Sequence, residues 1–238
     1  MITISIPSFN RSDLTIRSFI SVLNDSRVSE IVINDDSSNI DVYNDLCSKV
    51  KSLENNKIKV FRNSENIGSF LNKRKSVSLS TNEWVILLDS DNIVNTDYLD
   101  IISDKSDKET IYCPSHAVCN SPMLDYSKYV GSVNKKRYQE IVSSGRGIWD
   151  CILNTGNYFF HKDKYLECIE KEPNLANSYA ADAYYLIFLW FKNLENPKIE
   201  VVDGLKYIHE LHLSSHWVGN SKKSDEFLVS IINMVRKW

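Results

Sequence analysis

Glycine is scarce in this sequence, which contains only seven glycines in 238 residues. Neither GxGxxG, the loop that cradles a dinucleotide, nor GxxxxGK[ST], the phosphate loop of many nucleotide hydrolases, occurs. Both loops need glycines where the backbone approaches phosphate closely. The sequence therefore argues against a dinucleotide site and against a P-loop nucleotide site.

Paired cysteines are also missing. The five cysteines are odd in number, and no two of them form a CxxC motif. A disulfide scaffold or a zinc knuckle normally shows such pairing. The pattern predicts reduced thiols and a cytoplasmic protein.

Long apolar runs and a strong excess of charge are absent as well. The longest apolar run, residues 183–191, is far shorter than the roughly 20 residues that cross a bilayer. Met1 leads directly into the strand-like residues 2–6 and not into a signal peptide. The formal charge of -3 does not suit a broad basic surface. We expect no integral membrane segment and no nucleic-acid partner.

Strand and helix patterns alternate regularly in the first ninety residues. The predicted strands cover 2–6, 30–34, 57–61 and 84–88, and the predicted helices cover 13–24 (capped by Ser12), 40–54 and 69–80. Such alternation requires crossover connections between parallel strands. It predicts an α/β fold with a doubly wound, mostly parallel sheet and helices on both faces.

The second half of the sequence is less regular. Residues 155–160 (TGNYFF) are typical of a strand, and residues 178–194 form a helix that is apolar nearly all round and therefore buried. The amphipathic stretch 224–238 predicts a helix that packs against the domain, with peripheral membrane or dimer contact as the alternative. No linker or repeat separates the halves, so we expect one domain over 1–238.

Polar residues follow three of the predicted strands, at 7–10, 35–38 and 89–91. In parallel sheets the ligand site lies beyond the carboxyl ends of the strands. Asp89 and Asp91, two residues apart at a strand end, point to the same side and can share one locus. Either they are solvated acids at an ordinary strand end, or they form a cation site.

Several segments, in order along nearly the whole chain, resemble the family 2 glycosyltransferases with the GT-A fold. They are ITISIPSFNR, EIVINDDSS, NIGSFLNKRKSVSLSTNEWVILLDSDN, TGNYFF and YIHELHLSSHW. The sequence departs from the family pattern at Phe9, where a tyrosine is usual, and it has no QxxRW motif, so it does not resemble a processive polysaccharide synthase. Similarity is weak between 100 and 150, where an acceptor would be recognised.

The resemblance implies an inverting transferase that uses a nucleotide sugar, a hydroxyl acceptor such as a glycan, and Mn²⁺ or Mg²⁺. Residues 1–95 would bind the nucleotide sugar, 96–205 the acceptor, and 206–238 would form a C-terminal segment and helix. Asp91 would be the direct metal ligand. Asp89 would contact the ribose or a metal-bound water, with Ser90 beside it.

The resemblance also implies residues that hold the nucleotide. Pro7, Ser8, Phe9 and Asn10 would form the turn around base and ribose. Asp36 would accept a hydrogen bond from the base, and a ring N–H of uracil would supply that donor, which favours a UDP-sugar. A helix-capping Asp-Ser cluster is the alternative for Asp36. Either Lys73 or Arg74 would face the base or the phosphates.

The remaining assignments concern the chemistry at the sugar. Asp182, at the start of the apolar helix, would be the base, where the family often has an acid pair and this sequence has Ala181 first. Its alternative is a first-turn acid that stabilises the helix. The acceptor and sugar face would include Trp149, Asp150, Gly156 and Asn157, although a buried core tryptophan is the commoner explanation for Trp149.

Three histidines near the C-terminus, His209, His212 and His216, have the spacing of one helix face and so suggest zinc. No cysteine or HExxH pattern supports zinc, and the resemblance implies that His209 completes the metal site. Partly exposed histidines in a lid are the alternative.

Two rival functions stay open at this point. One is a catalytically silent module that binds a nucleotide sugar. The other is a sugar nucleotidyltransferase, which normally carries a glycine-rich loop after its first strand, where this sequence has PSFNR.

Overall fold

The computed structural model describes residues 1–118, 125–144, 157–210 and 216–238. The strands are β1 (Ile2–Ser8), β2 (Val28–Asp35), β3 (Ile58–Arg62), β4 (Trp84–Leu87), β5 (Asn92–Ile93), β6 (Thr110–Val118), β7 (Gly131–Asn134), β8 (Phe159–His161) and β9 (Lys198–His209). The helices are α1 (Ser12–Phe19), α2 (Ile40–Ser52), α3 (Ser69–Ser78), α4 (Thr96–Ile102), α5 (Lys135–Ser143), α6 (Lys162–Glu170), α7 (Asp182–Asn193) and α8 (His216–Val235).

All of these strands belong to one sheet, in the order β3-β2-β1-β4-β8-β6-β9-β5, with β7 also paired to β9. β3, β2, β1 and β4 run parallel to one another, as the sequence predicts. β8 then pairs antiparallel with both β4 and β6. The predicted α/β sheet is therefore confirmed, with its regular parallel part in the first half of the chain.

Two apolar clusters cover the two faces of the sheet. Residues from α1, α2 and α4 pack on one face, and residues from α3 and α5 to α8 pack on the other. Alternation along β4 explains this, because Val85 and Leu87 face one cluster while Ile86 and Leu88 face the other. Helices thus lie on both faces, and polar groups are left to the strand ends.

The first helix differs from its prediction at both ends. Arg11, and not Ser12, is the residue that precedes the first helical turn. The Ser12 hydroxyl instead donates a hydrogen bond of 2.6 Å to Asp45 on α2. The helix ends at Phe19, where the chain tightens into a 3-10 turn over Ile20–Val22.

The apolar helix α7 begins at Asp182 and not at residue 178. Tyr179 has a φ of +54°, which no helical residue adopts, and the Ala181 N–H closes a turn on the Ser178 carbonyl. From Tyr184 to Phe191 every residue is buried. The prediction of a buried helix is confirmed, and the first residue of this helix is Asp182.

The C-terminal helix α8 packs against the second cluster through Leu228, Ile231 and Val235. This is the packing that the amphipathic pattern predicts, although α8 begins earlier than residue 224.

Within the described ranges, no helix is both long enough and apolar enough to cross a membrane. Cys47 and Cys168 are free thiols, and Cys119 and Cys151 lie outside the described residues.

Candidate active site

The carboxyl ends of β1, β2 and β4 lie side by side at one edge of the sheet. Ser8 pairs with Asp35 across β1 and β2, and Ser5 pairs with Leu87 across β1 and β4. The three polar segments that follow these strands are therefore neighbours in space. This edge is the candidate active site.

The turn after β1 is tied to the turn after β2. Asn10 adopts a φ of +54°, and its N–H donates a hydrogen bond of 2.7 Å to the Ser38 hydroxyl. Its side-chain oxygen accepts a bond of 2.8 Å from the Asn39 N–H. Pro7 and Ser8 are buried, whereas Phe9 is 44% exposed. Phe9 is thus the member of this turn with a ring open to a ligand.

The Asp36 carboxylate is buried and organises the segment that leads into α3. One of its oxygens accepts hydrogen bonds from the Asn63 side-chain amide (2.8 Å) and the Ile67 N–H (2.9 Å). The other accepts one bond, of 3.0 Å, from the Gly68 N–H. A carboxylate has about four acceptor positions, so the second oxygen retains capacity for one further donor.

Lys73 on α3 connects two acids from distant parts of the chain. Its ammonium lies 2.6 Å from an oxygen of Asp89, after β4, and 2.6 Å from an oxygen of Asp182, at the start of α7. Arg74 points away and pairs with Glu170 on α6 at 3.3 Å. Of the two basic residues that sequence reasoning left open, Lys73 is the one whose charge lies at the strand ends.

The Lys73 ammonium keeps its charge in this setting. Burial is the largest influence on the pKa of Lys73 and would lower it, but the charges of Asp182 and Asp89 together outweigh burial and raise it above its ordinary range. Below this group, a small cavity is lined by side chains that include Phe70, Tyr158 and Tyr165. Apolar walls on one side of an ion pair reduce screening by water.

Asp91, the second acid after β4, pairs with Arg11 rather than with Lys73. The guanidinium of Arg11 lies 2.6 Å from a carboxylate oxygen of Asp91, and the two side chains are 19% and 13% exposed. Sequence reasoning did not find Arg11. It immediately follows the PSFN turn, but nothing local in the sequence indicates a partner 80 residues later.

His209 lies beside these acids because β5 pairs antiparallel with β9. Asn92, the residue after Asp91, is the partner of His209 in that register. His209 ends a strand, so the idea that it shares a helix face with His212 and His216 is wrong. His212 and the side chain of His216 lie outside the described residues.

Asn157 holds the backbone of the strand-end acids. Its side-chain oxygen accepts a hydrogen bond of 3.0 Å from the Asp89 N–H, and its carbonyl accepts one of 2.8 Å from the Tyr98 hydroxyl. Its φ of +63° is a left-handed conformation that asparagine tolerates better than most residues. Ser90, the central residue of the motif, is buried. The other residues predicted at the sugar face, Trp149, Asp150 and Gly156, lie outside the described residues.

The residue types at this edge fit a hard divalent cation, which prefers carboxylate oxygens. Asp89 and Asp91 each already pair with a basic side chain. Among the described residues, no cluster of three or more histidine, cysteine or acidic groups is arranged to hold a metal ion. Asp89 and Asp91 could therefore supply only part of a coordination sphere for such a cation.

Comparisons with known proteins bear on the family and on the fold. The family model described as glycosyl transferase family 2 matches residues 3–166. The comparison with curated proteins gives no match.

Solved glycosyltransferase structures have the same fold. A fragment of TarS from S. aureus in complex with UDP is 12% identical, with a TM-score of 0.64 over 98% of this chain and 64% of that chain. The mannosyltransferase PcManGT from Pyrobaculum calidifontis, in complex with GDP-Man and Mn²⁺, is 12% identical, with a TM-score of 0.67 over 100% of this chain and 64% of that chain. Glucosyl-3-phosphoglycerate synthase from Mycobacterium tuberculosis, in complex with Mn²⁺, UDP and phosphoglyceric acid, is 16% identical, with a TM-score of 0.64 over 98% of this chain and 78% of that chain.

This chain thus spans less than two thirds of the length of the first two. The likeness to these structures establishes the GT-A fold, and the family model covers most of the chain. The chain belongs to glycosyl transferase family 2.

Proposed function

We propose that the chain transfers a sugar from a nucleoside-diphosphate sugar to a hydroxyl acceptor, with inversion and with a divalent cation. The observation that carries this proposal is the convergence of Asp89, Asp91 and Asp182 at the carboxyl edge of the sheet, with Lys73 between two of them. Three acids and two bases at a strand edge suit a diphosphate and a cation better than they suit an ordinary solvated surface.

The cation would be Mn²⁺ or Mg²⁺, held by Asp91 with Asp89 beside it and His209 as the third side chain. When bound, it neutralises the charge that grows on the leaving diphosphate. The solved structures of the same fold that contain UDP or GDP-Man with Mn²⁺ support this assignment. Ser90, buried between the acids, would fix their backbone next to the ribose.

The nucleoside would lie over the turn Pro7–Asn10, against the exposed ring of Phe9. A uracil ring N–H would donate to the Asp36 oxygen that accepts, from the described residues, one bond. That spare acceptor supports a UDP-sugar as donor.

Asp182 would accept the proton of the acceptor hydroxyl. It begins α7, whose N-terminus stabilises the carboxylate and fixes its direction. We propose inversion because Asp89 and Asp91 would be held at the diphosphate. Among the described acids at this edge that leaves Asp182, and a single base fits one in-line displacement, whereas double displacement needs a carboxylate against the sugar carbon. Trp149, Asp150, Gly156 and Asn157 would border the sugar and a glycan or other hydroxyl acceptor.

A panel of nucleotide sugars, each with and without Mn²⁺, tests the proposal through thermal unfolding. A ligand that binds only the native state raises the unfolding temperature. We expect at least one UDP-sugar to raise it in Mn²⁺ and to release UDP slowly by hydrolysis of the donor. A silent binding module would show the temperature shift without hydrolysis. If no nucleotide sugar shifts the transition under either condition, the proposal is wrong.

A further inference from the structure

The two acids after β4 are already neutralised by basic side chains from elsewhere in the chain. Arg11 lies 2.6 Å from Asp91, and Lys73 lies 2.6 Å from Asp89 and from Asp182. All five side chains are less than one quarter exposed. Buried or half-buried ion pairs are screened only weakly, so these contacts are stronger than ordinary surface pairs.

A divalent cation arriving alone would meet an unfavourable site. It would need the oxygens that now contact Arg11 and Lys73, and it would bring two positive charges next to the two of these bases. Displacing either base without giving it a new anion would leave a buried charge unpaired, which is costly. Three carboxylates balanced by two bases leave little net charge to attract the cation.

A diphosphate removes this obstacle because it supplies oxygens to both partners. Its anionic oxygens can accept hydrogen bonds from a guanidinium in bidentate geometry and from an ammonium as a point charge. The bases can then leave the acids for the diphosphate while the cation takes the vacated carboxylate oxygens. The exchange gives both bases and both acids after β4 a new partner of opposite charge, and it leaves the Asp182 carboxylate without Lys73.

We propose that Arg11 and Lys73 are exchangeable counter-ions: they hold Asp91, Asp89 and Asp182 in the ligand-free protein and move to the diphosphate when nucleotide and cation bind together. The inference rests on the proposed function. It assigns a role to Arg11, and it makes binding of cation and nucleotide mutually dependent. The same step releases Asp182 from Lys73, so the base becomes available only after the donor is bound.

The test measures Mn²⁺ binding by the paramagnetic resonance signal of free Mn²⁺, which does not depend on activity. Wild type should bind Mn²⁺ weakly when no nucleotide is present and at least about tenfold more tightly with saturating UDP. Because the two binding equilibria are linked, Mn²⁺ must raise the affinity for UDP by the same factor. In Arg11→Gln, Mn²⁺ alone should bind roughly fivefold more tightly, as the loss of one competing ion pair predicts. In this variant, UDP should increase the affinity for Mn²⁺ by a smaller factor than it does in wild type.

Three further variants make the result specific. Arg11→Lys restores a positive charge and should return Mn²⁺ affinity towards wild type. Lys73→Met should also strengthen binding of Mn²⁺ alone, and it serves as a second variant if Arg11→Gln unfolds. Arg137→Gln, which removes an exposed arginine paired with Glu140 on α5, should change nothing.

The outcomes separate this inference from the proposed function. If UDP and Mn²⁺ strengthen each other's binding equally in wild type, Arg11→Gln and Lys73→Met, the nucleotide site stands and the counter-ion exchange is wrong. If UDP binds to none of the proteins in Mn²⁺, both the proposed function and this inference fail.

Discussion

Asp182 is the residue on which the proposed chemistry depends most. Its carboxylate lies 2.6 Å from Lys73 and is 13% exposed, at the first turn of a helix whose following residues are buried. A carboxylate that served only the helix dipole would have no need of a buried ammonium shared with a second acid. The position is that of a group oriented towards the strand ends.

Asp182→Asn should therefore separate binding from transfer. We expect the dissociation constant of UDP to change less than about threefold, because the nucleotide contacts lie elsewhere, while transfer falls about a hundredfold or more with the loss of a base. Calorimetry and a transfer assay measure the two quantities. Glu170→Gln, at an exposed acid on α6, is the control. A lower melting temperature with normal activity per folded molecule would instead make Asp182 a structural helix acid.

At the scale of elements, the connection from β3 to α3 depends on one carboxylate. Asp36 accepts hydrogen bonds from Asn63, Ile67 and Gly68, and so fixes where α3 begins. Since Lys73 lies on that helix, its position at the acids follows from Asp36. A residue predicted to contact the base is thus also a support of the site.

Asp36→Ala should lower the free energy of unfolding by about 3 kcal/mol, because it leaves buried donors without their acceptor. Urea unfolding measures the change. Asp104→Ala, at an exposed acid after α4, should have no such effect. Unchanged stability together with lost UDP binding would show that Asp36 acts only on the base.

The turn before β2 gives a prediction about pH. Hydrogen bonds from Arg27 lower the pKa of Asp25 to about 2. A lowered acid pKa gives stability that is present above the pKa of the unfolded chain, near 3.8, and is lost as the pH falls through the folded value. Arg27 also bonds to Asp100 on α4, so the turn links two elements.

Asp25→Asn should consequently melt at a lower temperature than wild type at neutral pH. The difference should shrink between about pH 4 and about pH 2, where wild type loses the ionised Asp25. Circular dichroism melts across this range measure it. A difference that stays constant with pH would mean that the Asp25 charge adds nothing.

Short-range patterns account for the elements that could be predicted from the sequence. Runs of buried apolar residues identify β1, β2 and β4, and the apolar stretch after residue 182 identifies α7. β9 shows no clean alternation, because Asp203 and Gly204 interrupt it, the glycine at a φ of +70°. Its C-terminal residues were therefore open to a helical interpretation.

The candidate site likewise contains residues that could be predicted from the sequence and residues that could not. The acids after β4 and at the start of α7 could be found from motif and position. Their partners could not, because the pairs Arg11–Asp91 and Lys73–Asp182 join residues that only the folded sheet brings together. A choice such as Lys73 over Arg74 depends on which side of α3 faces the strand ends, and local sequence did not decide it.

At the scale of the whole molecule, one sheet brings the two halves of the chain to a common edge. β1 and β4 supply Arg11, Asp89 and Asp91 from their following turns, while β9 and α7 from the second half bring His209 and Asp182. The sugar carbon would lie between these contributions. Of the described acids at this edge, Asp182 would be the one that does not serve the diphosphate.

The molecule should accordingly invert the sugar linkage. An α-linked nucleotide sugar should give a β-linked product, because a single base supports one in-line displacement. The coupling constant of the anomeric proton in the NMR spectrum of the product distinguishes the two. An α-linked product would overturn both the single-displacement mechanism and the role of Asp182.

Calorimetric titration of UDP measures whether a nucleoside diphosphate binds together with a cation at the acids after β4. Three titrations suffice: wild type in Mn²⁺, wild type in EDTA, and Asp91→Ala in Mn²⁺. The affinity for UDP should fall at least about tenfold in the second and third titrations, since each removes the link between diphosphate and carboxylate. Equal affinity in all three titrations would contradict this prediction.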